Sequence, residues 1–194
     1  MKTKTEAAKT AAFRSGMISA GANLDTMTAA GENRDWFALY TKSRHEKKVN
    51  WALAEKDVET FLPLREVLVR WKDRNKRVHV PLFPGYLFVR IDPKARLEVL
   101  TTNGAVCILG SGGRPVPVPL QEIESTRKLL RSGLKFSPFP YEMEGKKAVI
   151  VSGPLEGARG KVLYARGGCN LIMSVNLIRR SVSVEVDIND VEFV

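Results

Sequence analysis

An α+β architecture is predicted, with helices on an antiparallel sheet in the N-terminal part and a small five-stranded β-barrel at the C-terminal end. Three observations predict it. Between residues 35 and 133, short β-rich runs alternate with helical stretches, and two of the connections read as hairpins. From Gly145 onward, five short β-rich runs are separated by Gly-rich turns, and no helical periodicity survives. Between these parts, Pro138 and Pro140 mark residues 134–144 as a semi-stiff linker.

The elements follow in order. Residues 1–34 are rich in Ala, Thr, Gly and Lys without sustained periodicity and read as a disordered tail. Met17 and Ile18 are too sparse for the apolar region of a signal peptide. Trp36 to Tyr40 is a strand too densely apolar to be an exposed edge. Ser43 and Glu46 carry the signature of a capping box. Val49, Ala52 and Leu53 give the following helix its apolar stripe, and the helix ends near Asp57. Val58 to Leu64 reads as a second strand. Glu66–Trp71 and Arg77–Val80 flank a basic turn and read as a hairpin.

Pro84-Gly85 then punctuates the chain before the apolar strand Tyr86–Ile91. Asp92 as N-cap and Pro93 in the first turn open a helix that runs to about Thr102 and stops at Asn103-Gly104. Val106–Leu109 is a strand, Gly110–Gly113 a turn, and Leu120–Ser132 a last helix with Ile123 and Leu130 on one face. The barrel strands are Ala148–Val151, Lys161–Tyr164, Leu171–Val175, Val182–Val186 and Val191–Val194. Gly153-Pro154 and Gly157 permit a tight turn between the first two, and Gly160 lets the next strand approach closely.

Composition narrows the function. The chain of 194 residues is 44% hydrophobic and 27% charged, as globular proteins are. No window approaches the roughly 18–20 apolar residues of a membrane helix, so a soluble cytoplasmic protein is expected. Cys107 and Cys169 form no CxxC, and His45 and His79 are the only histidines, so no disulfide framework and no metal site are expected. The sequence holds no Walker loop and no nucleophile elbow. Gly153 to Gly160 is glycine-rich but lies between strands rather than before a helix. No catalytic residue and no cofactor are therefore expected.

The net charge of +10 favours an acidic partner such as nucleic acid. Residues 35–133 hold 18 Lys/Arg against 11 Asp/Glu and residues 145–194 hold 7 against 5, so phosphate affinity is expected mainly in the first half. Lys42, Arg44, Lys47 and Lys48 gather at the start of the first helix, where added cations suit a phosphate. Lys72, Arg74, Lys76 and Arg77 form a second group at the hairpin tip. The Pro84-Gly85 bend is expected to turn Phe83 and Tyr86 away from the sheet core, as a candidate protein-binding patch, while Leu87 and Val89 are core.

Three stretches carry a family resemblance: Trp36-Phe37-Ala38-Leu39-Tyr40-Thr41-Lys42, Pro81-Leu82-Phe83-Pro84-Gly85-Tyr86-Leu87-Phe88-Val89, and the segment from Gly145 through Gly153-Pro154, Gly157 and Gly160 to Val162. In this order and spacing they resemble the NusG family, with an N-terminal NGN domain (35–133) and a C-terminal SH3-like KOW domain (145–194). The resemblance implies a transcription elongation or antitermination factor, expected as a monomer. Its NGN domain would bind the clamp helices of the largest RNA polymerase subunit through Tyr40, Leu82, Phe83, Tyr86 and Phe88. Arg96, Thr101, Thr102 and Asn103 would face the polymerase gate loop. The first cationic group would touch non-template DNA and the hairpin tip upstream DNA. Leu177, Ile178 and Arg179 would form the KOW tip for a small-subunit ribosomal protein.

Ile178 and Arg179 stand where general members of the family carry Phe-Gly, which counts against a Rho contact. The wording around both the tip and the Pro-Gly bend is closer to the specialised RfaH- and UpxY-like antiterminators. The Val- and Gly-rich pattern supports β structure throughout the KOW domain. Two other readings stand beside this one: a general NusG factor acting in Rho-dependent termination, and a KOW-type RNA-binding protein of the ribosome.

Overall fold

The computed structural model describes residues 34–70, 74–141, 144–165 and 168–194. The expected tail, apart from Arg34, lies outside the described residues, and so does Lys72.

β1 (Asp35–Thr41) is densely apolar because both of its faces are covered. It pairs antiparallel with β5 (Tyr86–Ile91), from Asp35 opposite Ile91 to Tyr40 opposite Tyr86. β2 (Glu59–Phe61) lies on the far side of β5 and β6 (Ala105–Ile108) on the far side of β1, giving the order β2-β5-β1-β6. Side chains alternate between the two faces. Phe37, Leu39, Leu87 and Val89 form one core with Val49 and Leu53 of α1 (Glu46–Ala54) and Val99 of α2 (Arg96–Leu100). Trp36, Ala38 and Phe88 face the other way, into a cluster with Ile123 and Leu129 of α3 (Leu120–Arg131).

Several elements differ from the sequence expectation. The capping box does not form. His45 is the N-cap of α1 and its side chain makes no capping bond, because Glu46 is buried and accepts instead from the Gly85 backbone N–H at 2.7 Å. The expected helix from Asp92 to Thr102 is a 3₁₀ turn, Pro93–Ala95, followed by the five-residue α2; Asp92 caps it by accepting from the Lys94 N–H at 2.8 Å. The hairpin strands β3 (Leu64–Arg70) and β4 (Asn75–Pro81) pair only with each other, as a two-stranded ribbon separate from the main sheet. β7 (Gly110–Ser111) and β8 (Arg114–Pro115) make a small hairpin.

The C-terminal sheet contains β9 (Phe136–Phe139), β10 (Lys146–Ile150), β11 (Arg159–Ala165), β12 (Gly168–Val175), β13 (Arg180–Val186) and β14 (Val191–Phe193), in the order β14-β10-β11-β12-β13-β9. All five expected strands are present. The sixth, β9, comes from the segment expected to be a linker. It covers the outer edge of β13, with Phe136 opposite Val184, and Phe136 packs against the core. An otherwise open strand edge is thereby paired, and Pro138 is tolerated because β9 is itself an edge strand. Gly160 has the role its position suggests: a Cβ there would lie 2.4 Å from the Ile172 carbonyl oxygen.

α3 touches both sheets. Arg127 lies over the rings of Trp36 and Phe61, at 4.9 and 5.0 Å from their centroids, and pairs with Glu124 at 2.9 Å. Toward the barrel, the Ser125 hydroxyl accepts from the Arg159 N–H at 3.2 Å and Lys128 donates to the Glu156 carbonyl. A single apolar cluster runs from Trp36 and Phe88 through Ile123 and Leu129 to Leu171 and Val182 of the barrel.

Candidate functional site

The Pro84-Gly85 bend is held from three sides. Gly85 donates to Glu46, and its carbonyl accepts from the Thr41 N–H at 2.9 Å and the Thr41 hydroxyl at 3.3 Å. Its φ of +83° is a left-handed conformation that suits glycine, and a Cβ there would press on the Tyr40 ring at 3.2 Å. Tyr40 and Tyr86 are directly opposite across β1 and β5, with ring centroids 5.3 Å apart. Tyr40 is 41% exposed and Tyr86 is half-buried, so the pair forms an aromatic rim continuous with the buried Ala38 and Phe88.

The expectation that Phe83 turns outward is corrected. Phe83 is 2% exposed and packs edge-on against Phe88, and Leu82 and Phe88 are buried with it. The Leu82 N–H is tied to the Pro63 carbonyl at 2.8 Å, and the Tyr86 N–H closes a turn on the Phe83 carbonyl at 3.1 Å. This tight geometry drives Phe83 inward while Tyr86 stays at the surface.

Lys42, Arg44, Lys47 and Lys48 are all exposed. The positive end of α1 is already met by the carboxylate of Glu46 in its first turn. The cations therefore act through their side chains rather than through the helix end. Lys47 donates to the His79 carbonyl at 2.6 Å and so ties α1 to β4. That contact brings the helix cations beside the ribbon, where Arg74, Lys76 and Arg77 are exposed. Arg77 also pairs with Glu66 at 3.4 Å, a solvated contact worth little energetically.

Arg96 at the start of α2 and Thr101 and Asn103 just past its end are exposed. Thr102 is not: it is buried, and its hydroxyl accepts from Lys56 at 3.0 Å. At the barrel tip, Ile178 is also buried, as packing rather than contact surface, because the 3₁₀ turn Asn176–Ile178 folds it under the loop. Leu177 is half-buried. Arg179 is exposed, has φ of +51°, and lies over the Tyr141 ring at 5.5 Å. Asn176 accepts from the Tyr141 hydroxyl at 3.1 Å and donates to the carboxylate of Glu122 through both its backbone and its side chain. Burial pushes the Glu122 carboxyl above its ordinary range, and the two Asn176 hydrogen bonds oppose that rise.

Sequence reasoning overlooked Trp51, which is 65% exposed on α1. The available signal was an apolar residue on the polar face of a helix. It also missed the contact between Glu122 and Asn176, which joins residues distant in sequence and has no local signature. Among the described residues, no group of three His, Cys, Asp or Glu could hold a metal ion, and no helix is long and apolar enough to cross a membrane.

The fold and its surfaces define a mixed α+β protein joined to a small barrel, with an aromatic rim and a cationic helix face. A family profile described as "Transcription termination factor nusG" matches residues 34–127. The transcription termination/antitermination protein NusG of Thermus thermophilus is 30% identical over 182 residues, covering 81% of this chain and 97% of that protein. The protein of the same name from Lactococcus lactis is 26% identical over 173 residues, covering 82% and 93%. A solved structure described as "Domain interaction in Thermotoga maritima NusG" aligns with a TM-score of 0.49 at 24% identity, covering 82% and 96%. The chain belongs to the NusG family and is a NusG-type transcription factor.

Proposed function

We propose that this factor docks on the clamp helices of the largest RNA polymerase subunit through the rim of Tyr40 and Tyr86. Leu82, Phe83 and Phe88 support the rim from beneath. Arg96, Thr101 and Asn103 meet the gate-loop side, so that the factor spans the DNA channel. Lys42, Arg44, Lys47 and Lys48 contact non-template DNA, and the cations Arg74, Lys76 and Arg77 at the ribbon contact upstream DNA. At the barrel tip, Leu177 and Arg179 are offered to a small-subunit ribosomal protein. Antitermination is favoured over Rho-dependent termination because the turn Asn176–Ile178 carries no aromatic residue of its own and Ile178 is occupied in packing.

The mechanism is mechanical. A factor that binds the closed clamp more tightly than the swivelled one by about 1.4 kcal/mol shifts that equilibrium tenfold toward elongation. The observation that carries the reading is the Tyr40–Tyr86 pair, held at the surface by a left-handed glycine bend. Interface aromatics of this kind cost more than about 1 kcal/mol each when truncated. The double variant Tyr40→Ala/Tyr86→Ala should therefore bind polymerase at least about tenfold more weakly and lose its effect on transcript length on a long template, with or without Rho. Undiminished activity in that variant refutes the docking surface.

A further inference from the structure

One large side chain on α1 has no place in the packing. At about 100° per residue, Glu46, Val49 and Leu53 form the inward stripe, and all three are buried. Lys47, Lys48 and Trp51 lie opposite, and Trp51 projects between the two lysines at the centre of the outward face. It is 65% exposed. An indole can cover roughly 150–250 Å² when it finds a partner, and here most of that area faces water.

The neighbouring groups indicate the partner. Lys47 and Lys48 stand one turn before Trp51, and Lys42 and Arg44 continue the positive surface ahead of the helix. The ammonium of Lys47 donates to the His79 carbonyl, which sets α1 beside the ribbon that carries Arg74 and Arg77. Glu55, one turn on, brings the acidic charge of this face. A flat aromatic surface among cations is complementary to an unpaired nucleobase and its phosphates: the base stacks on the ring while the backbone meets the ammonium groups. A duplex satisfies the phosphate contacts but has no free base face for the ring.

We propose that Trp51 is a stacking platform for one unpaired base of single-stranded DNA, with Lys47 and Lys48 holding the flanking phosphates. This rests on the nucleic-acid half of the proposed function and shares no residue with the aromatic rim. The test titrates the full chain into a labelled single-stranded DNA of about twelve nucleotides, its duplex counterpart, and an RNA of the same sequence, read by fluorescence anisotropy.

Trp51→Ala should weaken single-strand binding about 5- to 150-fold, the range expected for one stacked base, with duplex binding changed less than about twofold. Trp51→Phe should recover most of the loss. Trp51→Leu, which keeps an apolar stem but no ring, should behave like Trp51→Ala and guards against a folding defect in the alanine variant. Lys47→Ala/Lys48→Ala should lower the salt slope for the single strand by about 1.4, or about 0.7 per phosphate contact.

Tyr40→Ala/Tyr86→Ala should bind the oligonucleotide normally, so failure of polymerase docking and failure of stacking are read separately. Wild-type affinity in Trp51→Ala overturns the proposal. So does equal loss on duplex and single strand, or tighter binding of the RNA than of the DNA. Loss of polymerase binding with intact oligonucleotide binding also overturns it and makes Trp51 a protein contact.

Discussion

Replacing Gly160 with alanine should destabilise the barrel by a collision that the structure locates. Gly160 lies in β11, paired with Ala148 of β10 on one side, while β12 folds over it on the other. A Cβ would stand 2.4 Å from the Ile172 carbonyl oxygen, 3.1 Å from its carbon and 3.0 Å from a methyl of Leu171. The methyl of Leu171 can swing away; the Ile172 carbonyl belongs to a backbone paired with Lys161 and cannot. Reaching an ordinary contact requires the strands to part by about 1 Å. Overpacking of this kind costs about 1–3 kcal/mol, and a backbone obstacle places it near 3. Alanine returns about 0.4–1 kcal/mol by restricting the unfolded chain. The net loss of about 2–2.5 kcal/mol corresponds to a fall in melting temperature of about 4–10 °C for a chain of this size. Calorimetry on the full chain measures it. Gly112→Ala is the comparison: nothing lies within 4 Å of its Cβ, and its φ of +57° leaves only a local backbone cost. If Gly160→Ala melts within about 1 °C of the parent, the close approach of β11 and β12 is not what fixes glycine there.

Phe83→Ala should cost about 3–5 kcal/mol, as a buried aromatic does, and lower the melting temperature by about 6–20 °C, whereas Tyr40→Ala, whose ring is 41% exposed, should lower it less. An unaltered melting curve for Phe83→Ala would show that its ring is not sealed in. Glu122 titrates with a raised folded-state value. Its protonation therefore favours the fold below the ordinary value of 4.5, and that contribution is lost as pH rises through the raised value. Glu122→Gln removes this titration, so its stability relative to the parent should rise as pH increases above the ordinary value of 4.5. A pH-independent difference, measured by chemical denaturation, would count against the burial of that carboxyl.

Strand positions were legible where burial is one-sided or complete, because the pattern of Trp36 to Tyr40 and of the barrel runs is local. The glycine at 160 could also be read, since a strand glycine signals close approach. Phe83 could not: the bend at Pro84-Gly85 says that the chain turns but not which neighbours rotate inward, and that is decided by the Leu82–Pro63 and Tyr86–Phe83 hydrogen bonds. Glu46 has the sequence look of a capping residue, yet the longer-range Gly85 N–H competes for its carboxylate and wins. β9 was hidden by Pro138 within it and Pro140 just after it, whose usual meaning as linker residues is overridden by an open strand edge. The aromatic rim is thus Tyr40 and Tyr86 out of the five docking residues the sequence offered, and Trp51 carries no local signal beyond being an apolar residue on a polar helix face.

α3 belongs to neither half of the molecule alone. Its guanidinium at Arg127 plugs one sheet, while its Glu122, Ser125 and Lys128 are spent on backbone and side-chain groups of the barrel. A chain cut before Glu144 would consequently leave raw surface on both products: a helix with stranded polar groups on one fragment, and on the other a barrel that had also lost β9 and its cover over β13.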